Sequence, residues 1–426
     1  MELYELFKKH PRISTDSRKI VPDSLFFALH GERFDGNRYA AAALEAGAAV
    51  AVVDDPRLAE QAAAATRDRY VTVPDTLAAL QELAARHRRA LGITVLAITG
   101  SNGKTTTKEL VGRTLSCRYR TAMTQGNLNN HIGVPLTLLA MDDTVEFGIV
   151  EMGASHCGEI ARLCEIARPD FGLITNIGKA HLEGFGGEEG VMRGKGELLD
   201  ALRDSGGEAF YLSESDALRR MVEARPGLRT IPYSTASIET SGTGEFLEAV
   251  WQGLPVRTRL VGSYNLANVA AAIAVGTRFG IEADRIVEAV ESYVPDNNRS
   301  QKKETVFNTL ILDAYNANPS SMRAALENFF REPTTRKRAV ILGDMRELGD
   351  YAEAEHRAVV EMIRTAGIDE AYLVGPHFSA AGAGRFAVFP DVDALCAHLT
   401  RHPVRDRTVL VKGSRGIRLE KAEAEL

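Results

Sequence analysis

Paired cysteine is missing from this chain. Cys117, Cys157, Cys164 and Cys396 form no CxxC pair and no framework spacing, which excludes a disulfide scaffold, argues against sulfur-held metal and fits reduced thiols inside a cell. Long apolar runs are missing too: none approaches the roughly 18 residues of a membrane span, and residues 1–10 lack a signal-peptide core. An excess of basic charge is also absent, since 51 Lys and Arg stand against 57 Asp and Glu for a net charge of -6. That balance argues against a nucleic-acid partner, which would need a basic face. The expectation is a soluble, cytoplasmic protein of about two to four domains that meets any anionic ligand with local groups. No internal repeat, low-complexity tract or long linker interrupts it.

What is present centres on one stretch. The apolar run at 93–98 reads as a buried parallel strand; it breaks at Gly100, and a helical pattern starts by Lys108. Between them lie Gly100, Ser101, Asn102, Gly103, Lys104, Thr105 and Thr106. In such a turn small residues let backbone N–H groups face outward, the helix N-terminus adds partial positive charge, and Lys104 reaches terminal phosphates. The hydroxyl of Thr105 suits Mg²⁺. Ile98 stands where the consensus G-x-x-x-x-G-K-[ST] has its first glycine, so the loop is the shorter G-x-x-G-K-T.

Residues 1–91 read as a small α/β unit, with strands at 24–30 and 48–53 and helices at 35–47, 56–65 and Thr76–Leu91. The polar clusters at 14–18 and 31–37 read either as solvated turns or as a ligand cradle. Residues 92–303 form the phosphate-loop unit. In it, Asn127, Asn130 and His131 sit in a loop too polar for a core and read as substrate-facing. Glu151 ends a strand at 146–150, where ligands meet a parallel sheet, and it suits Mg²⁺. His181 follows the strand at 171–175; taken alone, it reads as a structural hydrogen bonder. Lys195, between Gly194 and Gly196 in a helical stretch at 189–202, reads alone as a surface charge. An antiparallel excursion is expected at 245–260. Asn265 and Asn268, three apart, can act together, and Arg299 lies in a turn-rich exit at 295–300. Residues 304–426 repeat strand and helix, with strands at Thr309–Asp313, 339–343, 371–374 and 408–411 and helices from Ser320, Glu353 and Val392. This is a doubly wound pattern whose polar strand ends, at 313–319, 343–349 and 412–416, should open on one crevice.

Lys104-Thr105, Glu151, His181, Lys195, Asn268, Arg299 and Asp313, in this order, resemble the hallmark positions of the Mur ligases, ATP-dependent amide-forming enzymes of peptidoglycan precursor synthesis. Segments 99–107, 125–135, 151–154, 176–186, 298–301 and 315–322 add to the resemblance, which covers nearly the whole chain. One departure is Tyr264, where the family often has His. The resemblance implies a three-domain α/β fold: a small N-terminal α/β domain, a central P-loop mononucleotide-binding domain with a parallel sheet, and a C-terminal Rossmann-like doubly wound domain. Segments 315–319 and 127–133 favour the member that joins D-alanyl-D-alanine to UDP-N-acetylmuramoyl-tripeptide. They favour it over the ligase adding the third amino acid and over a folylpolyglutamate synthase-like relative. A reading from another class is a regulatory nucleotide-binding module, against which the retained metal-site set argues.

The resemblance also implies roles. Residues Gly100 to Thr106 would hold the ATP phosphates, with Lys104, Glu151, His181 and Lys195 catalytic. Thr105 and Glu151 would hold one Mg²⁺. His181 would help bind a second, oriented by Lys195 in carbamoylated form. Asn268 and Arg299 would contact adenine or phosphates, and Asp313 the ribose. Thr15, Asp16, Ser17 and Arg18 would meet the uridine-diphosphate sugar, with Asn127, Asn130 and His131 nearer the phosphate loop. Tyr315, Asn316, Asn318, Arg346 and Arg415 would receive the dipeptide. The chain is read as a monomer, and the third residue of the acceptor peptide is not legible.

Overall fold

The computed structural model describes residues 2–240, 246–295, 299–331, 334–368 and 370–426. Glu245 of the expected antiparallel excursion and residues 296–298 of the expected exit, Asn298 among them, lie outside these. The fold is α/β and carries three parallel or mostly parallel sheets. The first has four parallel strands, in the order Arg12–Ser14, Ser24–Phe27, Val50–Val53, Tyr70–Thr72. The central sheet has six parallel strands, in the order Arg229–Tyr233, Glu208–Leu212, Phe171–Ile174, Thr94–Thr99, Phe147–Glu151, Thr121–Met123. The third runs Gln301–Glu304, Thr309–Asp313, Arg407–Lys412, Lys337–Gly343, Glu370–Val374, Ala387–Phe389, with only the charged edge strand Gln301–Glu304 antiparallel.

The strand Thr94–Thr99 shows why an unbroken apolar run was needed. Val95 and Ala97 pack into one core and Leu96 and Ile98 into another, and all four are fully buried. Both sheet faces are covered, so no polar alternation survives. Val95, Leu96 and Ile98 each contribute on the order of 1.5–3 kcal/mol, and the methyl of Ala97 less. Chain order reverses between this strand and Phe171–Ile174, which are neighbours in the sheet. A crevice at the carboxyl ends of strands is expected at such a switch point.

The helix Thr76–Leu91 ties the first sheet to the second. Asp75 caps its start, accepting from the Ala78 amide at 2.7 Å, and Gly92 ends it with φ 61°. Its buried Leu80, Leu83 and Ala84 share one core with Phe27 and Val52 on one side and Val134 and Leu163 on the other. Arg88 is buried and donates to the Ala167 carbonyl at 2.9 Å and to Asp170 at 2.9 Å. It thereby satisfies the carboxyl end of the helix Glu159–Ala167.

Local expectations differ in several places. The strand expected over 24–30 ends at Phe27, and His30–Gly31 pairs instead with Phe34–Asp35. The helix expected over 56–65 stops at Gln61, because Pro56–Gln61 buries no residue and propagation gains nothing. Ser14, read as part of a loop, lies in the strand Arg12–Ser14, its hydroxyl 2.9 Å from that of Ser24. Lys195 is not a surface charge: it is 1% exposed within the helix Glu188–Ser205.

Candidate active site

A cleft of about 790 Å³ lies between the central and third sheets, lined by the phosphate loop, Glu151, His181, Asn268, Arg299 and the strand ends of the third sheet. The loop has the geometry its glycines allow. Gly100 sits at φ 143°, where a Cβ would lie 2.0 Å from Thr175 Oγ1; Gly103 sits at φ 78°, where one would lie 2.6 Å from Asn268 Oδ1. The segment after Phe171–Ile174 fixes the loop from outside. Ser101 Oγ donates to the Gly178 carbonyl at 3.0 Å, the Asn102 amide donates to Asn176 Oδ1 at 3.0 Å, and Thr175 Oγ1 donates to the Asn102 carbonyl at 2.6 Å. The helix Lys104–Ser116 then starts at the cleft, its first amides lacking intrahelical acceptors.

Lys104 Nζ curls over the loop, donating to the carbonyls of Gly100 at 2.7 Å and Ser101 at 3.3 Å. Burial of this ammonium pulls its pKa below the usual lysine value, against the opposing charge of Glu151. Thr105 Oγ1 donates to Glu151 Oε2 at 2.9 Å, and Asn129 Nδ2 donates to Glu151 Oε1 at 2.8 Å. Glu151 is 1% exposed, so a buried carboxylate is held by two neutral donors. A hard cation would resolve that arrangement. Among the described residues no three His, Cys, Asp or Glu side chains gather as a metal site. Mg²⁺, however, commonly takes one or two protein oxygens and completes its shell with phosphates and water. Thr105 and Glu151 fit that pattern.

Asn268 supports the loop from the other side. Its Oδ1 accepts from Thr107 Oγ1 at 3.1 Å and its Nδ2 donates to Asn265 Oδ1 at 2.8 Å, so the two asparagines do act together. On the third-sheet wall, Asp313 Oδ2 accepts from the buried Lys412 Nζ at 2.5 Å. The guanidinium carbon of Arg299 lies 3.7 Å from the Tyr315 ring centroid, and that of Arg415 lies 5.1 Å from it. Arg415 also donates to the Tyr315 hydroxyl at 3.2 Å. Asn318 meets Asn102 across the cleft, its Nδ2 donating to Asn102 Oδ1 at 2.7 Å. His181, at φ 53°, bonds through Nδ1 to the carboxylate of Glu347. Lys195 reaches the cleft wall from behind, Nζ donating to the Ala154 carbonyl at 3.2 Å. Its pKa falls to about 7, first through burial and then through the charge of Lys104.

The expected residues therefore divide. Ser101 to Thr106, Asn127, Asn130, His131, Glu151, His181, Asn268, Arg299, Asp313, Tyr315, Asn316 and Asn318 line one cleft; Gly100, Lys195, Arg346 and Arg415 are not among its lining residues, though Lys195 bonds to Ala154 and Arg415 to Tyr315, which are. Thr15, Asp16, Ser17 and Arg18 lie at the end of the first strand and line no part of it. There Arg18 pairs with Asp16 at 2.8 Å and holds its carboxyl down at about 2. Asn130 also serves as a cap, its Oδ1 accepting from the Gly133 amide at 2.9 Å. Asn129, Ser320, Glu347 and Lys412 line the cleft without having been singled out. Asn129 adjoins Asn130 and is indistinguishable from it by residue type.

Three family descriptions match in succession: "Mur ligase family, catalytic domain" at residues 11–88, "Mur ligase middle domain" at 98–276 and "Mur ligase, glutamate ligase domain" at 298–415. The UDP-N-acetylmuramoyl-tripeptide--D-alanyl-D-alanine ligase of Bacillus subtilis is 34% identical, over 97% of this chain and 92% of its own length. Its Escherichia coli counterpart is 35% identical over 96% and 92%. The crystal structure of MurF from Acinetobacter baumannii superposes with a TM-score of 0.85 at 32% identity, over 97% of this chain and 93% of that one. MurF ligase from Thermotoga maritima in complex with ADP gives a TM-score of 0.84 at 26% identity, over 100% and 98%. On this evidence the chain belongs to the Mur ligase family.

Proposed function

We propose that this chain is an ATP-dependent ligase that joins D-alanyl-D-alanine to UDP-N-acetylmuramoyl-tripeptide. The observation that carries the reading is the single cleft in which a phosphate loop, the Thr105–Glu151 pair and the strand ends of a second nucleotide-type sheet face one another. Relatives bearing this activity in their names cover nearly the whole chain and support it.

A carboxylate does not react with an amine in water without activation. The γ-phosphoryl of ATP passes to the terminal carboxylate of the acceptor peptide, so a carboxylate oxygen bonds to phosphorus while the bond to ADP breaks. The dipeptide amine then attacks the acyl carbon. A C–N bond forms, the C–O bond to phosphate breaks, phosphate leaves with that electron pair, and a nitrogen-bound proton goes to solvent. Lys104 leaves the loop carbonyls and, with the first amides of Lys104–Ser116, offsets charge on the transferring phosphoryl. Thr105 and Glu151 would hold Mg²⁺, which when bound screens the repulsion between triphosphate and carboxylate. His181, fixed through Nδ1, keeps Nε2 for a second ion. Lys195, neutral in good part near pH 7, is suited to add CO₂ as its nitrogen loses a proton, and the anionic carbamate so formed would help to hold that ion.

Asn268 and Arg299 contact adenine or phosphate, Asp313 the ribose, and Tyr315, Asn316, Asn318, Arg346 and Arg415 the dipeptide. Residues 1–91 hold the uridine-diphosphate sugar through Thr15, Asp16, Ser17 and Arg18, residues 92–303 hold ATP, and residues 304–426 complete the site. The protein acts as a monomer in the cytoplasm, where ATP is made; among the described residues no helix is long and apolar enough to cross a membrane. The test is phosphate release with ATP, Mg²⁺, acceptor and dipeptide, each omitted in turn, with product weighed by mass spectrometry. Release that needs all four and a product heavier by the dipeptide support the assignment. A preference for a single amino acid and a shorter acceptor would overturn the substrate, and no release with any acceptor would move the chain to a regulatory role.

A further inference from the structure

The amine that attacks the acyl carbon arrives as an ammonium, and an ammonium needs a carboxylate to receive it. Among the described residues the cleft offers four carboxylates: Glu151, Glu159, Asp313 and Glu347. Glu151 and Asp313 have both oxygens taken, and Glu159, on the central-sheet side beyond the strand Phe147–Glu151, has one oxygen bound by backbone amides. Glu151 takes Thr105 and Asn129 on its two oxygens, and it sits on the phosphate side. Glu159 accepts from the amides of Ser155 at 2.7 Å and His156 at 2.9 Å, tying down the turn before its own helix. Asp313 is neutralised by buried Lys412 and also accepts from the Ser300 amide at 3.3 Å.

Glu347 differs from all three. It belongs to the third-sheet wall, in the polar segment after the strand Lys337–Gly343, and lines the same cleft as the phosphate loop. Its side chain is 59% exposed, and among the described residues its one ion-pair partner is His181, with no lysine or arginine paired to it. The backbone there is special: Glu347 has φ 62°, a left-handed conformation that costs a non-glycine residue about 1 kcal/mol or more. Its carbonyl accepts from the Glu183 amide at 3.2 Å, so the turn is locked against the segment carrying His181. One carboxylate oxygen is used by His181, the other has no hydrogen-bond partner among the described residues, and the residue lines the cleft.

We propose that Glu347 is the docking carboxylate for the ammonium group of the incoming amine substrate, a role that rests on the ligase reading above. The free oxygen of Glu347 accepts from the ammonium while the His181 bond fixes the direction of the carboxylate; the docked ammonium gives one proton to solvent to free its lone pair, and the second leaves to solvent as the amide forms. The amine is thereby held beside the acyl group, where its lone pair can reach a face of the acyl carbonyl.

The experiment compares two nucleophiles on one acyl phosphate. Hydroxylamine is largely uncharged at pH 7, needs no ammonium site and traps the acyl phosphate as a hydroxamate, so it reports the first half of the reaction. The variant is Glu347→Gln, in which an amide oxygen still accepts from His181 but the charge is gone; Glu347→Ala serves as its partner and removes both. For Glu347→Gln the KM for D-alanyl-D-alanine is expected to rise roughly 10- to 100-fold, as for loss of a hydrogen bond to a charged group. Hydroxamate formation should fall far less, and only Glu347→Ala should depress both strongly. An unchanged dipeptide KM in Glu347→Gln, or equal losses with both nucleophiles, would overturn the assignment of Glu347 while leaving the ligase reading intact. Absence of hydroxamate from the unmodified protein with ATP and acceptor would instead overturn the ligase reading, and this role with it.

Discussion

Asn102 and Asn318 exchange side-chain hydrogen bonds across the cleft, at 2.7 Å in one direction and 3.4 Å in the other. One amide belongs to the phosphate loop and the other caps the helix Pro319–Arg331, its Oδ1 accepting from the Ser321 amide at 2.9 Å. A single polar pair thus couples the ATP-facing turn to the opposite sheet. Asn318→Ala should lower stability by about 1 kcal/mol through the lost cap and should raise the KM for ATP. In a double-mutant cycle with Asn102→Ala the effects on KM should fall short of additive by roughly 0.5–1 kcal/mol. Full additivity would mean that the pair does not couple the two walls.

Lys104→Ala should reduce ATP-dependent product formation at least about 1,000-fold, because its ammonium is the charge aimed at the phosphoryl group. Unfolding temperature should not fall, since among the described residues Lys104 bonds only to carbonyls of its own loop and its ammonium is desolvated there. Gly103→Ala should act differently, lowering both stability and activity, as its Cβ would lie 2.6 Å from Asn268 Oδ1. Normal turnover in Lys104→Ala would remove the phosphate loop from the mechanism.

Glu151→Gln keeps the shape that Thr105 and Asn129 bond to and removes the charge. Without metal the stability of the variant should change little, because the relief of burying a carboxylate between neutral donors is offset by loss of the charge that opposes Lys104 and of one acceptor oxygen. With ATP present, the Mg²⁺ concentration for half-maximal activity should rise at least about tenfold. An unchanged Mg²⁺ titration would assign the ion to other residues.

Lys195 makes stability depend on pH in a defined window. Its value falls from 10.5 in the open chain to about 7 when folded. Between these values the unfolded chain binds the extra proton, so stability rises with pH from about 7 towards 10.5. Below pH 7 the full cost of burying the charged amine remains. Lys195→Met, in buffer freed of CO₂, should therefore be more stable than the parent by roughly 2–4 kcal/mol near pH 7, with the difference closing as pH rises. Bicarbonate should stimulate the parent and leave Lys195→Met unaffected. Parallel stability curves for the two proteins would contradict the burial of a neutral lysine.

The sequence was most legible where function is local. The phosphate loop, Glu151 at its strand end, the helix Thr76–Leu91 with Asp75 and Gly92 at its limits, and the Asn265–Asn268 pair all depend on spacings of a few residues. Long-range contacts left no such mark. Glu347 becomes a site residue only because the third sheet brings it to His181, 166 positions away. Lys195 shows what a residue type conceals: a lysine on a helix reads as solvated. Gly194 beside it was the available signal, because a Cβ there would lie 2.4 Å from the Phe185 ring, so bare backbone is needed for that ring to cover the lysine. The tripeptide segment Asn129-Asn130-His131 needed coordinates for another reason, since only the fold decides which of two adjacent amides turns to Glu151.

An oxygen-isotope experiment tests the acyl-phosphate route most directly. The acceptor peptide is labelled with ¹⁸O in its terminal carboxylate and turned over with ATP, Mg²⁺ and D-alanyl-D-alanine, and the inorganic phosphate is analysed by mass spectrometry. Transfer of the γ-phosphoryl to that carboxylate requires one ¹⁸O atom in each phosphate released, with ADP as the other nucleotide product. Label found in AMP, or phosphate free of ¹⁸O, would show that Lys104 and its loop activate the carboxylate by a different reaction.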